Sequence, residues 1–249
     1  MIIIPMAGLS SRFFKAGFTS PKYMLEAHGL SLFDHAVKSF EKYFTSEKFL
    51  FVVRDVYGAH LYVEQSIKSL GIEDYHVCVL EQETSGQAET VMHGLNSINY
   101  KGPITIFNID TFRPGFKFPN LDEMEDGYLE VFKGEGNNWS FAKPLSGNST
   151  LVVETAEKKQ ISNLCSTGLY HFSSVDLYLM AYDDYFQKPK AEWSKGEIYI
   201  APLYNYLISK GKKIHYHLID RDEVIFCGTP EEYQNFKQNK LYNFSSFKR

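Results

Sequence analysis

Met1-Ile-Ile-Ile-Pro-Met-Ala-Gly-Leu-Ser-Ser-Arg-Phe-Phe-Lys-Ala-Gly-Phe-Thr-Ser-Pro-Lys-Tyr-Met-Leu-Glu26 decides how the remaining sequence is read. Met1 to Ile4 is an apolar run too short to span a membrane and suited to a buried strand closed by Pro5. The loop that follows, Ala7-Gly8-Leu9-Ser10-Ser11-Arg12, is small, hydroxylated and glycine-bearing, so its backbone N–H groups can approach an anion closely. Arg12 adds a guanidinium, the form of positive charge that grips phosphate, and Pro21-Lys22 supplies a second cation. A glycine loop after a strand is common in α/β packing. A strand, a flexible loop and two cations together make a triphosphate site.

Outward from this stretch, Ala27-His28-Gly29 reads as a turn, and Ser31 to Glu41 spaces its apolar residues for an amphipathic helix with Ser31 as N-cap and Asp34 behind it. Lys48 to Val53 is strand-like, Val56 to Leu70 is helical up to Gly71, and His76 to Leu80 is another short buried strand. The strand–helix alternation predicts an α/β fold whose mostly parallel central sheet carries right-handed crossovers and helices on both faces. Ligands then belong at the carboxyl ends of its strands.

Two further segments fall on that edge. Glu81-Gln-Glu-Thr-Ser-Gly-Gln-Ala-Glu-Thr90 follows a strand and opens a helix through Val91 and Leu95. Its glycine lets backbone approach a planar base, and the amides of Gln82 and Gln87 can both donate and accept. Ser85-Gly86 also suits a plain turn and helix cap. Pro103 to Phe107 is a strand that delivers Asn108-Ile109-Asp110 to the same edge. Mg²⁺ takes oxygen ligands and is commonly held by one or two carboxylates plus substrate phosphates, so Asp110 can serve it, with Asn108 orienting it.

Gly8, Arg12, Pro21, Lys22 and Leu25 at these spacings resemble the signature of the nucleotidyltransferases that make sugar nucleotides and related activated metabolites. The resemblance implies a glycosyltransferase-A-like, Rossmann-like fold with a smaller acceptor-binding β insertion. It implies a single domain over residues 1–249, with an NTP-binding half at 1–111 and an acceptor half at 112–249. It places the nucleotide on Ala7, Gly8, Leu9, Ser10 and Ser11, charge neutralisation on Arg12 and Lys22, and Mg²⁺, with Mn²⁺ as a substitute, on Asp110. By the same resemblance, the base is read by Gln82, Ser85, Gly86, Gln87 and Ala88. Side-chain amides can flip, so discrimination between bases falls to fixed backbone groups around Ser85, Gly86 and Ala88.

In the second half, residues 112 to 127 read as a surface loop. Gly127 to Phe132, Trp139 to Lys143 and Ser149 to Glu154 are strand-like, separated by turns at Gly134 to Asn138 and Ser146 to Asn148. Glu157-Lys158, then Thr167-Gly168 in a segment running to Phe172, resemble the family's acidic–lysine pair before a glycine-containing strand. That assigns acceptor contacts to Lys158, Thr167 and Gly168, with Lys159 an adjacent competitor. Helical spacing resumes from Ser174 to Tyr185 and from Glu197 to Ser209, and Glu197 and Tyr199 join the acceptor set by resemblance. Ile214 to Ile219 alternates like a strand, and Thr229-Pro230 starts a helix. Relatives carry an Asp before this Gly-Thr-Pro as a second metal ligand. Here Cys227 stands there, leaving Asp220, Asp222 or Glu197 to compensate. No hexapeptide repeat follows, so an acyltransferase arm is not expected.

The 249 residues are ample for a buried core, and a net charge of −4 argues against a nucleic-acid partner, which calls for a basic face. Cys78, Cys165 and Cys227 show no metal-ligand spacing, and an odd number suits a reducing compartment. With no signal-peptide pattern or transmembrane run, the expected setting is cytoplasmic and away from the membrane, and a homo-oligomer remains open. The implied reaction joins an NTP to a phosphorylated small-molecule acceptor and releases pyrophosphate. Met-Ala-Gly-Leu-Ser-Ser-Arg-Phe and Ser-Gly-Gln-Ala-Glu-Thr resemble the small cytidylyltransferases of bacterial capsular phosphoramidate biosynthesis, implying CTP as donor and phosphoglutamine as acceptor. The alternatives are a sugar-1-phosphate uridylyl-, guanylyl- or thymidylyltransferase and an inactive nucleotide-binding regulatory subunit.

Overall fold

The computed structural model describes residues 1–146 and 149–239. β1 (Ile2–Pro5) sends Ile2 and Ile4 into one apolar cluster and Ile3 into another, as the period-two alternation of a strand buried on both faces requires. The chain continues through α1 (Ser11–Lys15), the hairpin of β2 (Glu26–Ala27) with β3 (Leu30–Ser31), and α2 (Leu32–Lys38). Ser31 caps α2 as its sequence suggests: its Oγ accepts from Asp34 N–H at 3.0 Å, and Asp34 Oδ2 accepts from Ser31 N–H at 3.3 Å. β4 (Phe49–Arg54), α3 (Ala59–Leu70), β5 (Tyr75–Leu80), α4 (Gln87–Asn96) and β6 (Ile104–Phe107) complete the alternating half.

The second half adds β7 (Thr111–Phe112), β8 (Gly127–Lys133), β9 (Ser140–Pro144), β10 (Val152–Glu157), β11 (Leu164–Phe172), α5 (Val175–Phe186), α6 (Tyr204–Ser209), β12 (Ile214–Ile219), β13 (Ile225–Phe226) and α7 (Pro230–Gln238). Among the described residues a nine-stranded sheet runs β10-β9-β11-β6-β1-β4-β5, with β8 pairing β11 and β12. β6, β1, β4 and β5 are parallel, and antiparallel β11 joins them to the strands of the second half. The fold is the α/β arrangement expected, and the β segment extends the same sheet.

Three local differences have physical causes. The helix expected from Glu197 begins only at Tyr204, because the backbone at Glu197 is extended (φ −120°, ψ 153°) and Ile198 bonds to the loop after β5. The strand expected at 149–154 is displaced to Val152–Glu157, and Leu151 makes an isolated bridge to His215 instead. Thr111 pairs with Phe226 in the small β7–β13 sheet, an unexpected contact that carries Cys227 to the end of β6. Of the turn read at Ser146–Asn148, residues 147 and 148 lie outside the described residues.

A buried ion pair stands within the second half. Arg113 donates through Nε to Glu130 Oε1 at 2.7 Å and through Nη2 to Glu130 Oε2 at 3.1 Å, with side chains 4% and 0% exposed. Arg113 Nη1 also donates to the Glu223 carbonyl at 2.7 Å, so the guanidinium is satisfied on several sides.

Candidate functional site

A cleft of about 530 Å³ opens at the carboxyl ends of β1, β4, β5 and β6, where an open α/β sheet places its ligands. Ala7, Gly8, Leu9 and Ser11 form one wall, Glu83 to Gln87 face them, and Asn108 to Asp110 lie between, with Lys22, Arg54 and Glu197 also at the surface. Ser10 adopts a left-handed conformation (φ 52°), and its Oγ accepts from Lys22 N–H at 3.0 Å. This bond anchors the lysine to the glycine loop. Lys22 Nζ in turn lies 2.5 Å from Asp110 Oδ2.

The loop after β5 is tied to the second half of the chain. Ile198 N–H donates to the Ser85 carbonyl at 2.8 Å, and Ala88 N–H donates to the Ile198 carbonyl at 3.0 Å. Gly86 sits between them at φ +140°, and a Cβ there would lie 2.6 Å from the Ile198 oxygen. Only glycine permits that approach. The backbone groups expected to discriminate bases at Ser85 and Ala88 are thus turned toward Ile198. The Ala88 side chain is fully buried, and its carbonyl accepts from Tyr178 Oη at 2.7 Å. Gln82 is exposed and borders a shallow depression beside the cleft, whereas Gln87 faces the cleft and donates through Nε2 to Asn108 Oδ1 at 2.5 Å.

Around the expected acceptor contacts the residues separate. Lys158 Nζ bonds Tyr199 Oη and lies 4.1 Å from the Tyr199 ring centroid, with Glu157 Oε1 at 3.7 Å. Burial pulls the Lys158 ammonium below its ordinary range against the opposing charges of Glu157 and Glu197, and burial raises the Glu157 carboxyl. Burial also raises the Tyr199 phenol, as does Glu197, which hydrogen-bonds it. Arg12 is exposed and does not line the cleft wall, but its charge reaches both Lys158 and Tyr199. Thr167 lies apart, 1% exposed, with its hydroxyl donating to Glu130 Oε1 at 3.0 Å. Gly168 (φ +92°) makes room for Asn108, whose Nδ2 would stand 2.4 Å from a Cβ there, and its carbonyl accepts from Asn108 N–H at 3.1 Å.

No family model matches the chain, and no curated protein does. Among solved structures, the nucleoside-diphosphate-sugar pyrophosphorylase from Vibrio cholerae RC9 is 59% identical, with a TM-score of 0.93 over 96% of this chain and 100% of that one. The chain belongs to the nucleotidyltransferase family. The inositol-1-phosphate CTP transferase from T. maritima (15% identity, TM-score 0.74, 100% of this chain and 95% of that one) shares the fold. So does a putative glucose-1-phosphate thymidylyltransferase from Bacillus anthracis (16% identity, TM-score 0.72, 99% and 98%).

In this nucleotidyltransferase the carboxylate expected to hold a divalent ion, Asp110, lines the cleft. The Asp110 carbonyl accepts from Cys227 N–H at 2.8 Å, and a Cβ on Gly228 would lie 3.0 Å from Asp110 Oδ2. Cys227 itself is fully buried, and burial together with Glu232 and Asp110 holds its thiol neutral, so it is no substitute for a carboxylate ligand. Asp220 caps the 221–223 turn, and neither it nor Asp222 lines the cleft. Among the described residues no group of three His, Cys, Asp or Glu could hold an ion alone. One carboxylate supplemented by substrate phosphates is a donor set that Mg²⁺ accepts. Arg54 and Glu83, both on the cleft surface, were not singled out from the sequence; an Arg ending a central strand on the ligand edge was the available signal for the first.

Proposed function

We propose that the chain transfers a nucleoside monophosphate, CMP in preference, from an NTP to a phosphorylated small-molecule acceptor, with phosphoglutamine favoured, and releases pyrophosphate. The observation that carries this reading is Lys22 Nζ at 2.5 Å from Asp110 Oδ2, inside a cleft walled by the Ala7–Ser11 loop. An oxygen of the acceptor phosphate attacks the α-phosphorus in line, the bond to the oxygen bridging the β-phosphorus breaks, and pyrophosphate leaves with that electron pair. A phosphate oxygen is already nucleophilic, so the protein's task is positioning and charge neutralisation. Lys22 meets the triphosphate from the glycine loop; Lys158, held over Tyr199, faces the acceptor phosphate; Arg12, near both Lys158 and Tyr199, offsets charge between the two. Asp110, with the substrate phosphates, would hold Mg²⁺ or Mn²⁺, which would add charge neutralisation at the triphosphate.

CTP and phosphoglutamine are supported by the wording of the loop and base-segment motifs. A second reading, a sugar-1-phosphate acceptor, is favoured by the name of the 59% identical Vibrio cholerae protein, a nucleoside-diphosphate-sugar pyrophosphorylase. A pyrophosphate-release screen of ATP, CTP, GTP and UTP against phosphoglutamine and several sugar 1-phosphates separates them. Release from CTP with phosphoglutamine supports the first reading, and release only with sugar phosphates replaces it with the second.

A further inference from the structure

The segment expected to read the base has few polar groups left to do so. Besides the two bonds to Ile198, Ser85 N–H bonds the Glu89 carboxylate, the Gly86 carbonyl accepts from the Thr84 and Thr90 hydroxyls at 3.1 Å each, and the Gln87 amide nitrogen is engaged by Asn108. Two other groups on the same cleft surface keep spare capacity. Arg54 is the last residue of β4, Glu83 follows β5, and Arg54 Nη1 lies 2.9 Å from Glu83 Oε1. Neither side chain makes another hydrogen bond or ion pair among the described residues. A guanidinium has five N–H donors and a carboxylate two acceptor oxygens, so after this one contact the pair still presents a donor beside an acceptor.

We propose that Arg54 and Glu83 are the base-reading pair of the NTP site, recognising a base edge with an exocyclic amine beside a ring-nitrogen acceptor. The inference rests on the cleft being the NTP site and deepens that reading. Glu83 accepts from the exocyclic amine, the pairing a carboxylate makes with the cytosine amine, while Arg54 donates to the neighbouring ring nitrogen. Cytosine and adenine both carry that edge. Uracil and guanine present the reverse order, a carbonyl oxygen against the carboxylate and a ring N–H against the guanidinium. Such reversal leaves both partners unpaired and discriminates by about ten- to a hundredfold.

The test is titration calorimetry of wild type, Glu83→Gln, Arg54→Met and Lys22→Ala with ATP, CTP, GTP and UTP in the presence of Mg²⁺. Glu83 is 67% exposed against 14% for Arg54, so Glu83→Gln keeps the fold even if Arg54→Met does not. Its amide can serve either edge. Wild type is expected to bind CTP or ATP at least tenfold more tightly than UTP and GTP, and the CTP and ATP arms identify which base is taken. Glu83→Gln should level this preference to within about threefold, with Arg54→Met doing the same. Full preference retained in both variants overturns the pair while leaving the NTP site standing. A wild type that prefers UTP or GTP also overturns it. Wild-type affinity for every NTP in Lys22→Ala removes the NTP site itself, and the pair with it.

Discussion

Lys22 and Asp110, brought from the loop after β1 and the end of β6, meet as an ion pair of 2.5 Å with side chains 21% and 23% exposed. Under the proposed reading the Lys22 ammonium is placed to meet charge that develops on the triphosphate. Lys22→Ala and Arg12→Ala should each lower turnover by roughly a hundredfold or more with thermal unfolding unchanged. Asp110→Asn should collapse activity, with excess Mg²⁺ recovering little. Steady-state kinetics with a metal titration check this, and near-normal turnover in Lys22→Ala removes the assignment.

Gly86→Ala tests the bridge between the loop after β5 and the second half of the chain. Its Cβ would lie 2.6 Å from the Ile198 oxygen in a backbone conformation (φ +140°) that side chains rarely adopt. The Ser85–Ile198 and Ala88–Ile198 bonds must then stretch, at a stability cost of roughly 1–3 kcal/mol. Urea unfolding should show the loss, and KM should rise for both substrates. A variant with unaltered stability and KM would show that the bridge is dispensable.

How much of this was legible follows from which contacts are local. β1, β4, β5 and β6 announce themselves by apolar runs, and Gly8, Lys22 and Asp110 then fall on one edge because parallel strands end together. The extended backbone at Glu197 was hidden, since the apolar spacing that follows it is helical and only the distant Ser85 carbonyl, which accepts from Ile198 N–H, explains its conformation. Thr167 reads as a site residue beside Gly168, yet the register shift in β11 between Ser166 and Tyr170 and the buried Glu130 draw it away. Arg54 gave no sign of its pairing because its partner, Glu83, lies on another loop.

Glu130 offers a stability test independent of the site. Glu130→Ala leaves the Arg113 guanidinium buried and without its carboxylate, which should lower stability by about 3–5 kcal/mol. Replacing both partners with apolar residues should restore much of it. Denaturation of the single and double variants decides the point, and equal losses in both contradict it.

Stability should also fall with acid through His171. Burial lowers this imidazole from 6.5 to about 4 in the folded chain, where its Nδ1 lies 2.8 Å from Thr105 Oγ1. The unfolded chain therefore takes up this proton first, and the stabilisation present above pH ~6.5 is lost as pH falls toward ~4. Between pH 8 and pH 5 the loss from this group is about 2 kcal/mol. Urea unfolding of wild type and His171→Gln across that range checks it; the same pH dependence in both would assign the effect elsewhere.

³¹P NMR of the protein with CTP, phosphoglutamine and Mg²⁺ follows the proposed transfer to a phosphate acceptor. Each CTP consumed should yield one pyrophosphate and one cytidylylated acceptor, with no reaction in Asp110→Asn. Release of CMP and pyrophosphate without acceptor modification, or no consumption with phosphoglutamine or any sugar 1-phosphate, would contradict it.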